Sequence, residues 1–210
     1  MKLKKQTLLW EVTTAESDHK SYLFGTMHVK SKKVFSAFDQ IAGYIDDCDA
    51  FALEIDLEQS QSPEMQSIMI LPGHQSLLSM LKDNEVQRLA KILQQIGAPP
   101  LFQIQYLRPM NLINLMSSLV MKEETDVILD MHLYQYAKAQ GRRVFGIETL
   151  EEHVEILNKM DLKTELAQLR AIIRNFSSFV KQHHKIMNYY TQGRIAVSYT
   201  HLTLPTILRV

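Results

Sequence analysis

Three apolar runs, each too short for a buried helix, stop on an ionisable side chain. No other feature limits the possible folds of this chain so strongly. They are "YLFGTMHV" (22–29), "AFALEID" (50–56) and "RRVFGIET" (142–149). Apolar or β-branched runs of this length, bounded by polar or turn-forming residues, read as strands. The first ends at His28 after Gly25, the second at Glu54 and Asp56, and the third at Glu148 after Gly146. "TLLWEVTT" precedes the first run, and the polar "AESDHK" joins the two into an N-terminal β-hairpin. If the three strands were parallel neighbours, their ionisable groups would line one sheet edge, where open α/β sheets place their ligands.

Most of the remaining chain carries helical periodicity. "SAFDQIAGYIDDC" (36–48) puts Phe38, Ile41, Ala42 and Ile45 on one face, with Ser36 placed to cap it. "SPEMQSIMIL" has Pro63 suited to a first helical turn, and "NEVQRLAKILQQIG" closes on Gly97. Pro99 and Pro100 force a break before the apolar pair "LFQIQYL" and "MNLINLMSSLVM", which hinges at Pro109. "DVILDMHLYQYAKAQG" ends on Gly141, and "LEEHVEILNKM" and the long amphipathic run 162–193 follow. Few strands and many helices give an α+β class with α/β-like features: a small sheet led by the hairpin and coated by helices.

Composition removes several functions. Lys+Arg and Asp+Glu both number 23, so net charge gives no reason to expect nucleic acid or an acidic membrane as partner. Cys48 is the single cysteine, which excludes an internal disulfide and a multi-cysteine zinc site. It reads as a small core residue. No apolar stretch is long enough for a membrane span, and the basic start "MKLKKQTLLWEV" lacks the apolar core of a signal peptide, so the expected location is cytoplasmic.

The segment "VSYTHLTLPTILRV" (197–210) breaks the pattern of everything before it. Val197 to Thr206 can be read back, in one frame, into a transposon-type sequencing adaptor. The expectation is one domain over 1–196, incomplete at its C-terminus, followed by an adaptor-derived tail over 197–210.

One imidazole and two carboxylates converging at strand ends could hold a divalent ion and activate water, or divide general acid and base roles. Bland readings stand beside this one. His28 suits a core or surface histidine, Glu54 a solvated or capping acid, and Glu148 an acid at the N-terminus of the next helix. Asp130 and His132 lie two apart on a helix and cannot face one site. His183 and His184 read as solvated on a polar helix.

The ordered set resembles the TraB/GumN family, also described as Tiki-like or pheromone-shutdown proteins. "LLWEVTTAESDHKSYLFGTMHV" is similar to its opening, a Trp-bearing strand and hairpin ending in Gly-x-x-His. "CDAFALEIDL" is similar to its second motif, and "LDMHLYQYAKAQGRRVFGIETLEEH" to its third. The resemblance implies a fold related to the erythromycin-esterase and haem-uptake lipoprotein group, and a metal-dependent hydrolase acting on peptide or ester bonds. It puts the motif histidine on His28, the strand-end glutamate on Glu54, the Glu-Thr glutamate on Glu148 and the helix-start aspartate on Asp130, with Gly25 opening the first motif. His28, Glu54 and Glu148 would be metal ligands, with Glu54 and Glu148 also candidate catalytic groups. A manganese-class or zinc ion suits nitrogen and oxygen donors without cysteine. The family's second Gly-x-x-His is not among these residues, so little turnover is expected. The partner expected is a peptide or small-molecule substrate. The alternative is a regulatory protein that binds a peptide or signal without chemistry.

Overall fold

The computed structural model describes residues 7–15, 17–58, 62–121, 124–159 and 161–194. Strand β1 (Leu9–Thr14) pairs antiparallel with β2 (Ser17–Phe24), setting Trp10 against Leu23 and Leu9 against Phe24, with an irregularity between Thr13 and Thr14. The polar stretch expected as the hairpin connection is largely drawn into β2. Lys20 pairs with Thr13, and its Nζ reaches Glu11 Oε2 at 3.1 Å, a cross-strand ion pair that keeps the solvated end in register. The Gly25 N–H donates to the Leu8 carbonyl at 2.8 Å, extending the ladder one step before the chain turns toward His28.

A 3₁₀ turn, Lys32–Ala37, leads into α1 (Phe38–Asp46). The cap falls on Ser31, whose hydroxyl accepts from the Lys33 N–H, while Ser36 instead donates to the Lys33 carbonyl. Strand β3 (Ala50–Leu53) follows. Helix α2 (Pro63–Met69) begins on its proline, as expected, with the Ser62 hydroxyl accepting from Met65. Helices α3 (Leu77–Met80) and α4 (Asp83–Gln95) come next, then α5 (Leu101–Ile104) and α6 (Pro109–Val120). Helix α7 (Leu129–Ala139) leads to β4 (Arg143–Gly146), and α8 (Leu150–Asn158) starts in a reciprocal Thr149–Glu152 capping box. The run read as one long helix is two, α9 (Leu162–Arg174) and α10 (Phe176–Thr191). Asn175 leaves helical geometry at φ −137°, ψ 61°, and its side-chain oxygen accepts from the Ser178 N–H. A side chain that serves the backbone locally competes with helix continuation.

The molecule is α+β, with two two-stranded sheets, β1–β2 and β3–β4, among the described residues. β3 and β4 are neighbours as anticipated, but β2 pairs only with β1 and does not join them. The chain divides into two compact units. The first gathers the described residues of Met1–Phe51, Glu123–Val144 and Gln182–Val210, and the second those of Ala52–Lys122 and Phe145–Lys181.

In the first unit, α7 packs on α1 through ring edges. Phe38 meets His132 and Tyr136, and the Tyr136 hydroxyl donates to the Asp46 carboxylate at 2.9 Å. His132 therefore faces α1, leaving Asp130 to face elsewhere, as their spacing requires. In the second unit, Leu77, Leu89, Leu93, Leu112, Met116 and Leu169 form a fully buried aliphatic core. Glu165 sits inside the same unit at 1% exposure, paired with the Arg108 guanidinium and accepting from the Met110 N–H at 3.2 Å. A buried carboxylate is tolerable only with such donors. Among the described residues, no helix is long and apolar enough to cross a membrane.

Candidate functional site

The residues singled out from the sequence fall into two clusters, one in each unit. Gly25, His28 and Asp130 belong to the first, Glu54 and Glu148 to the second.

In the first cluster the chain leaves β2 through Gly25 and carries His28 into solvent, its side chain 66% exposed. Asp130, in the first turn of α7, lies beneath it with a side chain only 8% exposed. Nε2 of His28 is 3.8 Å from Oδ1 of Asp130, beyond hydrogen-bond reach. That Oδ1 accepts from the Thr26 hydroxyl, and Oδ2 is buried with no hydrogen-bond partner among the described residues. The Tyr190 hydroxyl donates to the Gly25 carbonyl at 3.1 Å. Burial chiefly, and the nearby Asp130 charge after it, push the Tyr190 phenol far above its ordinary range.

Past His28 the loop is pinned again. Glu124 N–H donates to the Lys30 carbonyl at 2.6 Å, and its carboxylate accepts from the Ser31 hydroxyl and the Lys32 N–H at 3.0 and 3.1 Å. Those bonds, the Ser31 hydroxyl foremost, hold the Glu124 carboxyl below the usual range. An exposed imidazole thus rides on a backbone tied on both sides.

In the second cluster the chain continues past β3 and β4 in matching sense. The Ile147 N–H donates to the Leu53 carbonyl and the Glu148 N–H to the Glu54 carbonyl, both at 2.8 Å. Gly146 permits this approach: a Cβ there would lie 2.5 Å from the Asp56 nitrogen. The glycine before Glu148 therefore serves close backbone packing, as its position suggested. Glu54 and Glu148 are brought together through their backbones, with the Glu54 side chain exposed.

Glu148 does not cap α8. Thr149 and Glu152 do that, and their hydrogen bonds, the Thr149 N–H first, hold the Glu152 carboxyl below its usual range. The Glu148 carboxylate instead lies 2.7 Å from Nδ1 of His153. The pair borders an open cavity of about 400 Å³ lined by Ile147, Glu148, Glu152, Glu155, Ile156 and Lys159. A hydrogen-bonded carboxylate and imidazole are the group types that serve as general acid and base.

Thr26, Tyr190 and His153 take part in these clusters without having been singled out. Thr26 stands inside the Gly-x-x-His motif and His153 inside "ETLEEH", so local signals existed. Tyr190 offered none. The solvated reading of the His183–His184 pair fails for His183, which is 2% exposed, while His184 is exposed. Phe179, His183, Met187 and Tyr190 repeat along the buried stripe of α10. The adaptor-derived tail, 197–210, lies outside the described residues.

As donors toward a divalent ion, His28 offers an imidazole and Asp130, Glu54 and Glu148 offer carboxylates, the types that manganese or zinc accepts. Among the described residues, no group of three or more His, Cys, Asp or Glu side chains is placed to hold one ion. That is fewer than the three protein ligands typical of catalytic zinc.

Comparison with known proteins gives a consistent answer. The family model described as the TraB/PrgY/gumN family matches residues 8–201. A protein of Amphimedon queenslandica described as a metalloprotease TIKI homolog is 25% identical over 199 residues. That alignment covers 80% of this chain and 38% of the relative, so the chain spans well under half of its length. No solved structure gives a significant match.

Proposed function

Because the chain belongs to the TraB/PrgY/gumN family, we propose that it is a metal-dependent hydrolase acting on peptide or ester bonds. The observation that carries the reading is an exposed His28 imidazole on a pinned turn, set over the buried Asp130 carboxylate with its unpartnered Oδ2. The ties at Gly25 and at Lys30–Lys32 fix the backbone from which His28 projects, the kind of support a positioned ligand or catalytic group needs. Similarity to a metalloprotease TIKI homolog favours metal chemistry over simple binding.

In this reading His28 is a candidate metal ligand in the first unit, and Glu54 and Glu148 are candidate carboxylate donors, or the acid and base, in the second. A manganese-class or zinc ion, when bound, would polarise the scissile carbonyl and lower the pKa of water. The chain's own contribution is clearer at Glu148. Its carboxylate can accept a proton and share it with His153, beside the cavity of about 400 Å³. Ile147 and Ile156 supply apolar contact there, and Lys159, paired with Glu155 at 3.0 Å, a cationic edge.

A panel of fluorogenic peptides and esters with added Mn²⁺ or Zn²⁺ tests this reading. Little turnover is expected from this chain, and what there is should vanish with chelator and fall further in Glu148→Gln, toward the usual share of a general acid or base, about 10²–10⁴. Turnover that persists in chelator would contradict the metal-dependent reading.

A further inference from the structure

Asp130 is the least satisfied group of the first cluster. Its side chain is 8% exposed, Oδ1 already serves the Thr26 hydroxyl, and Oδ2 is buried with no partner. A carboxylate oxygen left so costs about 1–3 kcal/mol, more when charged, unless a donor reaches it. Among the described residues, two nearby hydroxyls are already committed. The Tyr190 hydroxyl is used by the Gly25 carbonyl, and the Thr26 hydroxyl by Oδ1. Nε2 of His28 faces the carboxylate at 3.8 Å from Oδ1, the oxygen that Thr26 also uses, and its side chain is exposed enough for the ring to swing onto either oxygen.

We propose, taking His28 as the ligand-bearing group of the hydrolase reading, that Asp130 is its positioning residue. The Nε2–H of His28 donates to the buried Asp130 carboxylate, and the lone pair of Nδ1 is presented outward to the ion or the reacting group. An imidazole has one proton for two nitrogens when neutral, so fixing it on one side decides which side can ligate or act as base. Metal-ligating histidines are commonly oriented by a carboxylate on the far nitrogen in this way.

Long-range ¹H–¹⁵N correlation of the histidine rings tests this on the full chain. The protein is chelator-treated and held about two pH units above the ordinary imidazole pKa of about 6.5. His28→Gln identifies the His28 signals, and exposed His184 supplies the reference for an ordinary tautomer mixture. Wild type should show His28 almost entirely as the Nε2–H tautomer. Asp130→Ala should return it to the mixture of His184, and Thr26→Val, which leaves the acceptor in place, should keep the lock. A wild-type His28 no different from His184, or carrying its proton on Nδ1, overturns the proposal. So does a His28 pattern unchanged in Asp130→Ala. The wild-type spectrum decides even if Asp130→Ala fails to fold. Mn²⁺ or Zn²⁺ titration of the same sample separates the two claims. A locked tautomer without metal binding refutes His28 as ligand and leaves its positioning by Asp130 standing, while metal binding with a mixed tautomer does the reverse.

Discussion

The phenol of Tyr190, near the end of α10, donates to the carbonyl of Gly25 at 3.1 Å, joining residues 165 apart in sequence. That bond fixes the turn from which His28 projects. Tyr190→Phe keeps the ring's packing and removes only the donor. It should cost about 1 kcal/mol in urea unfolding, the usual net value of one hydrogen bond. Amide exchange in residues 25–29 should accelerate. Unchanged exchange in that turn would show that the tie does not hold it.

Glu124 gives the same loop an acid limit. Its carboxyl is held low by the Ser31 hydroxyl first and the Lys32 N–H second. Because the folded value is the lower one, the stabilisation is in place above the ordinary glutamate pKa of about 4.3. It is lost as pH falls through the folded value. Protection of the Lys32 amide should therefore drop on acidification below that range, and Glu124→Gln should remove most of the pH response. A Lys32 amide equally protected at both pH values would refute the latch.

Glu165 should matter to stability although it belongs to neither candidate cluster. It is 1% exposed and meets Arg108 and the Met110 N–H. Glu165→Ala leaves Arg108, 14% exposed, without this partner. The expected loss is about 3–5 kcal/mol, read from the urea midpoint at constant m-value. A loss below about 1 kcal/mol would mean that solvent reaches the guanidinium easily.

Gly146→Ala tests the close approach that places Glu148. The added Cβ would meet backbone, the Asp56 nitrogen at 2.5 Å and the Ile55 carbonyl carbon at 3.0 Å, and backbone cannot swing aside as a side chain can. An overpacking cost of about 1–3 kcal/mol is expected, together with shifted amide resonances at Ile147 and Glu148. A neutral substitution would show that the two segments part readily.

Much of this architecture was legible. Glycine closed the helices before Gly97 and Gly141, and both residues adopt positive φ, 72° and 71°. The strands β3 and β4 stood out as short apolar runs, and the pattern of three motifs identified the family. Other features lacked a sequence signal for physical reasons. The amphipathic period runs unbroken through Asn175, so only its side-chain cap reveals the break between α9 and α10. His183 reads as polar yet occupies the buried stripe of α10. Thr26 and Asp130 meet across 104 residues, and no local pattern encodes that contact. The three strands do not share one sheet: among the described residues β2 pairs with β1, and β3 with β4.

The central claim is that His28 is a metal ligand, and calorimetric titration of Mn²⁺ and Zn²⁺ into the full chain tests it most directly. Wild type should bind one ion, and His28→Ala should weaken binding by at least about tenfold with the thermal transition preserved. Equal affinity in wild type and His28→Ala, or no binding to either, would contradict it.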